Sequence, residues 1–183
     1  DRQMLGEAHP LVYRESILAS FGAYAAPAPA VGIIDTTERT VFHALEEVAI
    51  RQCGIPLTGS GRAERRVCHV FPVVRYDNGS DDLYAGAARL GEAIGRGGMV
   101  YFSSADFPGS LGFNDISLYC SIMGIGKVVF NDASVHDVNN AVFVDEFYGG
   151  LYGGMDAATS FEKAKSVLRA KDRFRYPAYW SDI

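Results

Sequence analysis

The sequence predicts an α/β fold, a mostly parallel central sheet sandwiched between helices in three layers, and three observations predict it. Met99-Val100-Tyr101-Phe102 is an apolar run without alternation, which suits a strand buried on both faces. Comparable short runs recur at Ala30–Ile34, Arg66–Val74 and Lys127–Phe130. Stretches of helical periodicity stand between and after them, the order of elements that parallel sheets require.

The elements follow in order. Residues 1–29 read as an N-terminal arm, because Ala25-Ala26-Pro27-Ala28-Pro29 imposes an extended connection ahead of the α/β domain at residues 30–183. Ala30 to Ile34 is a strand, and Asp35-Thr36-Thr37 reads as a helix N-cap with Glu38 in the first turn. Val41, Phe42, Leu45, Val48 and Ala49 repeat at helical spacing and predict the buried face of a helix that Gly54-Ile55-Pro56 stops. Thr58 to Glu64 reads as a polar loop, and Arg66 to Val74, rich in β-branched residues, as the next strand. Leu83, Ala87, Leu90 and Ile94 form one apolar stripe before Gly95 to Gly98. Beyond Phe102, Ile116 to Ile122 predicts a mostly apolar helix, Lys127 to Phe130 a buried strand, and Asp137 the start of a helix through Phe143, Phe147 and Leu151. A last helix, Ala157 to Ala170, carries Phe161, Ala164, Val167 and Leu168 on one face.

Composition sets bounds on function. At 183 residues, with 48% apolar and 21% charged residues, the chain can bury a core without staples and is not disordered. A net charge of −5 excludes the broad positive field that gathers nucleic acid, so no nucleic-acid partner is expected. Cys53, Cys68 and Cys120 are odd in number and lack metal-ligand spacing, which reads as reduced thiols in a cytoplasmic protein with no metal. No run has the length of a membrane span, and no cofactor fingerprint is present. The chain starts at Asp1 without a methionine, which reads as processing or as a piece of a longer polypeptide.

The carboxyl ends of buried parallel strands are where ligands and catalytic groups collect, which puts Ser103-Ser104-Ala105-Asp106 at the functional edge. Downstream come Gly109 to Gly112, Ile116 to Ile122, Lys127 to Phe130, Asp137, Phe147-Tyr148, Gly153-Gly154, the Ala157–Ala164 stretch and Pro177-Ala178-Tyr179-Trp180. In order and spacing, residues 99–180 resemble caspase-like cysteine peptidases, most closely the bacterial CHAT domains. The resemblance implies a caspase-like fold, a cysteine nucleophile at position 105, an acidic neighbour at Asp106, and a peptide or protein substrate. Ser103, Ser104, Asp132 and Asp137 would line the substrate site. It also implies an upstream sensor or regulatory domain.

That chemistry needs a thiolate and an imidazole on neighbouring strand ends, with backbone N–H groups to hold an oxyanion. His69 is the histidine on the strand before the functional edge, 36 residues ahead of position 105. Where the family follows its histidine with glycine, this chain has Val70-Phe71-Pro72, and a histidine satisfied within a strand is the competing reading. Position 105 holds alanine, and neither Ser103 nor Ser104 occupies the matching place. Two accounts of Ala105 stay open: a pseudo-peptidase whose groove still binds, or a cysteine replaced by alanine to trap an uncleaved complex. Either way the chain as written is not expected to cleave peptide bonds.

Two other classes compete. Asp35, Ser103 or Ser104, and Asn131-Asp132 with Asp137 end successive strands, as in haloacid-dehalogenase-like phosphohydrolases that use an aspartyl nucleophile and Mg²⁺. Asp35-Thr36-Thr37-Glu38 lacks the second aspartate of that pattern, and helix caps explain Asp35 and Asp137 as well. The third class is a non-catalytic interaction module. In it Phe147, Tyr148, Tyr152, Phe174, Tyr176, Tyr179 and Trp180 form a partner surface rather than the seam between helices and sheet.

Overall fold

The computed structural model describes residues 31–35, 41–58, 67–71, 98–103, 118, 120–122, 124–130 and 138–171. The elements are β1 (Val31–Asp35), α1 (Val41–Gln52), β2 (Leu57–Thr58), β3 (Val67–Phe71), β4 (Met99–Phe102), β5 (Lys127–Phe130), α2 (Val138–Tyr152) and α3 (Ala157–Ala170). The five strands form one sheet in the order β2-β1-β3-β4-β5. Every pairing in it is parallel. The chain runs outward from β1 to β2 and then crosses to β3 on the other side of β1. The winding therefore reverses between β1 and β3, the place where open α/β sheets leave a crevice at their carboxyl ends.

Alternation along each strand divides the core between two faces. Val67, Met99, Tyr101 and Val129 pack with Ile50 of α1, with Phe143, Phe147, Tyr148 and Leu151 of α2, and with Leu168 of α3. Cys68, Val70, Val100 and Phe102 pack the opposite way, with Cys120 and Ile125. Leu118 and residues 120–122 are helical, so helical chain lies on both sides of the sheet and the architecture is a three-layer α/β sandwich. Coverage on both faces is why β4 reads as four apolar residues in a row: all four are buried.

Helix ends follow from local chemistry. Gly154 at the end of α2 has φ +95°, a left-handed conformation that a side chain disfavours, and it lets the chain reverse within two residues into α3. Asp156 caps α3, accepting from the Ala158 N–H at 2.9 Å and the Thr159 N–H at 3.1 Å. The two helices then pack closely. A Cβ added at Gly150 would lie 3.0 Å from Ser160 Oγ, a close contact that glycine avoids.

Three expectations change. Thr58 belongs to β2 rather than to a polar loop; two residues are too few to show a period. On α3 the deeply buried side is Ala157, Ser160, Ala164 and Leu168, while Phe161 and Val167 are only half buried. The face of α1 differs most. Leu45 (38% exposed) and Val48 (49% exposed) point outward, while His43, Glu46 and Glu47 are buried with Ala49 and Ile50. Glu46 is inside the core because a polar network meets it there. Residues 1–30, the 83–94 stripe and residues 172–183 lie outside the described residues, as does any test of the arm.

Asp156 is nearly fully exposed, and its bonds to Thr159 hold its carboxyl below the usual range. Asp156→Ala is expected to lower stability by about 1 kcal/mol at neutral pH. A carboxyl with a depressed folded value contributes stability above its unfolded value, about 3.9, and loses it as pH falls further. The gap between wild type and Asp156→Ala in urea unfolding should therefore narrow in acid.

Candidate functional site

His69 sits in the middle of β3, opposite Tyr101 of β4 and Ile33 of β1 in register. Its side chain points to the face covered by α1 and α2, and it is fully buried, at 0% exposure. Nε2 lies 2.9 Å from Glu46 Oε2 of α1, and Nδ1 lies 3.1 Å from the Tyr148 hydroxyl of α2. A carboxylate only accepts, so Nε2 carries a proton. With a neutral ring, Nδ1 then accepts from the Tyr148 O–H. The Tyr101 ring stacks on the imidazole with centroids 4.7 Å apart and planes within 8°.

Glu46 is the hub. Its Oε1 accepts from Ser103 Oγ at 2.8 Å and from Asn140 Nδ2 at 2.7 Å. Asn140 Nδ2 also donates to the Ser103 carbonyl at 3.2 Å, and the Tyr101 hydroxyl donates to Asn140 Oδ1 at 3.0 Å. The Ser103 N–H donates to the Val70 carbonyl at 3.0 Å, carrying the β3–β4 ladder one residue past β4. All six side chains are buried, and each is hydrogen-bonded, the condition under which a buried polar cluster is tolerated. Burial pushes the hydroxyls of Tyr101 and Tyr148 well above the ordinary tyrosine value, with the Glu46 charge adding to it.

Chemically, this arrangement is a closed set of hydrogen bonds among the described residues. Both nitrogens of His69 are engaged inside the core, and the Ser103 hydroxyl donates to a carboxylate that two other residues hold in place. Of the residues singled out by sequence, His69 and Ser103 come together on one network through Glu46. Ser104, Ala105, Asp106, Asp132 and Asp137 lie outside the described residues. Asp35 is the last residue of β1, in register with Phe71. Of the aromatic cluster, Phe147 and Tyr148 are core residues and Tyr152 is half buried; Phe174, Tyr176, Tyr179 and Trp180 lie outside the described residues.

Sequence reasoning missed Glu46, Asn140 and Tyr101 as network members. A signal for Glu46 existed: an acidic residue between Leu45 and Val48 shifts the helix face once a buried partner is available. A second polar contact lies at the end of α1. The Cys53 thiol donates to the Asp145 carbonyl at 3.3 Å, and burial, followed by that carboxylate neighbour, raises it to about 11. Such a thiol stays protonated and unreactive at neutral pH. Among the described residues no three His, Cys, Asp or Glu side chains converge as metal ligands, and no helix is long and apolar enough to cross a membrane.

Compared with protein-family models, curated proteins and solved structures, the chain matches none.

Removing the Glu46 carboxyl strands three buried donors. Glu46→Ala is expected to cost about 3–5 kcal/mol in denaturant unfolding, whereas Leu45→Ala, one residue away but outward, should change stability by about 0.5 kcal/mol or less. Equal costs would mean that α1 is rotated the other way. The two buried tyrosines set an alkaline limit. Unfolded tyrosine ionises near about pH 10 and these do not, so the folded state holds more protons above that point. Stability should be intact below it and decline as pH rises through and beyond it. The decline measured by urea midpoints should be shallower in Tyr148→Phe.

Proposed function

We propose that this chain is a caspase-like α/β domain of the CHAT type. It binds a peptide or protein partner at the carboxyl edge of its sheet without cleaving it, and so serves proteolysis through regulation. The chief support is the adjacency of β3 and β4, parallel neighbours of which one carries His69 and the other runs into the Ser103–Asp106 segment. Position 105 supplies no thiol. His69 is committed to Glu46 and Tyr148 and acts as a structural residue. A peptidase-like site without its thiol keeps recognition and loses the chemistry, which is the physical content of a pseudo-enzyme. A cytoplasmic setting and an upstream sensor domain belong to the same proposal. Cys53, Cys68 and Cys120 form no disulfide among the described residues, which suits that setting.

The test restores the thiol. In Ala105→Cys, a peptidyl acyloxymethyl ketone should label residue 105 by alkylating its sulfur with loss of the carboxylate leaving group. Fluorogenic peptides should remain uncleaved, because no imidazole is free to protonate a leaving amine. A folded Ala105→Cys protein labelled no faster than by a non-peptidic ketone would overturn the family reading. Efficient turnover would overturn the pseudo-enzyme part and mark position 105 as the nucleophile of a working site. Mg²⁺-dependent phosphoester hydrolysis lost in Asp35→Asn would favour the phosphohydrolase alternative instead.

A further inference from the structure

We propose that Glu46 and Asn140 are positioning residues for the peptide site, holding the end of β4 in the one orientation from which the chain proceeds to position 105. This inference rests on the reading of that segment as the peptide site. It concerns residues from two helices that the resemblance does not bring to the site.

The geometry is specific to Ser103. A strand end is ordinarily held by its ladder alone, and the residue after it turns freely toward the loop. Here every polar group of that residue is held. The N–H bonds to Val70 of β3, the carbonyl accepts from Asn140 of α2, and the hydroxyl donates to Glu46 of α1. Three elements thus converge on one residue at the carboxyl end of the sheet. Asn140 bridges the two remaining contacts by donating to Glu46 and to the Ser103 carbonyl from the same nitrogen. Glu46 is in turn fixed by His69, which explains why a histidine that does no chemistry lies in β3. A buried network of this kind costs desolvation and is weak evidence for stability as such. It does make the backbone direction at Ser103 unique, and sites that bind extended peptides depend on such preorganisation.

The test uses Ala105→Cys as the parent and reads two probes and one structural signal. The peptidyl acyloxymethyl ketone requires the groove and the thiol together, whereas iodoacetamide requires only an accessible thiol; mass mapping separates residue 105 from Cys53, Cys68 and Cys120. Asn140→Ala and Glu46→Ala are expected to slow peptide-ketone labelling by about tenfold or more while iodoacetamide labelling stays within about twofold. Glu46→Gln should recover most of the loss, since its amide oxygen still accepts from Ser103 and Asn140. Hydrogen exchange should rise at residues 103–106 and not in α3. Ser103→Ala, which keeps the backbone bonds and removes only the hydroxyl, should shift both readouts the same way by less, and it decides the matter if the larger truncations fail to fold. Unchanged exchange at residues 103–106 in a folded Asn140→Ala or Ser103→Ala protein overturns the positioning role. If the parent takes no peptide label, the functional reading fails, and the exchange signal alone then decides whether Glu46 and Asn140 hold this strand end.

Discussion

The buried polar network of this molecule depends on one carboxyl group. Glu46 enters the core from a helix whose outward side carries Leu45 and Val48, and it is met there by donors from three other elements: His69 of β3, Ser103 at the end of β4, and Asn140 of α2. The arrangement is interlocking. Tyr101 stacks on His69 and donates to Asn140, so the two sides of the network are closed through a residue of β4. Such a cluster restricts how the helices can slide over the sheet, because hydrophobic contacts tolerate small shifts and directional bonds do not. The large aromatic residues of α2 fill the space around it. Phe143, Phe147 and Tyr148 supply the burial, and the polar hub supplies the registration.

Much of the fold was legible in the sequence because its elements are governed by local chemistry. Met99–Phe102 and Lys127–Phe130 appear with the expected bounds, and β4, covered on both faces, is apolar throughout. Ala157 to Ala170 is likewise the observed helix. What periodicity could not give was the rotation of α1. A hydrophobic count ranks Leu45 and Val48 as core and Glu46 as surface, and it has no means of knowing that a histidine, a serine and an asparagine, 23, 57 and 94 residues away, will gather around that glutamate. The candidate site was legible in part for the same reason. His69 and Ser103 could be placed on neighbouring strands by counting; their link through Glu46 and Asn140 is a tertiary fact with no local signature. β2 escaped notice because two residues carry no pattern.

The proposed role unites these observations with the alanine at position 105. An enzyme keeps its base partly solvated and its proton mobile. Here the imidazole lies between a carboxyl and a phenol and is hydrogen-bonded to both. The same polar residues that would be wasteful in a catalytic site are economical in a binding site, where a fixed backbone matters more than a labile proton. Affinity for an extended partner rises when the receptor does not have to be ordered on binding.

β2 has a consequence of its own. An exposed strand edge is a row of unpaired amides and carbonyls that invites other chains to add on, and long flat edges are where native sheets become templates for aggregation. Among the described residues Leu57–Thr58 ends the sheet with two residues, and the Thr58 hydroxyl donates to the Val31 carbonyl. An invading strand would find a foothold too short to grip. Among the described residues this edge is guarded by brevity rather than by charge.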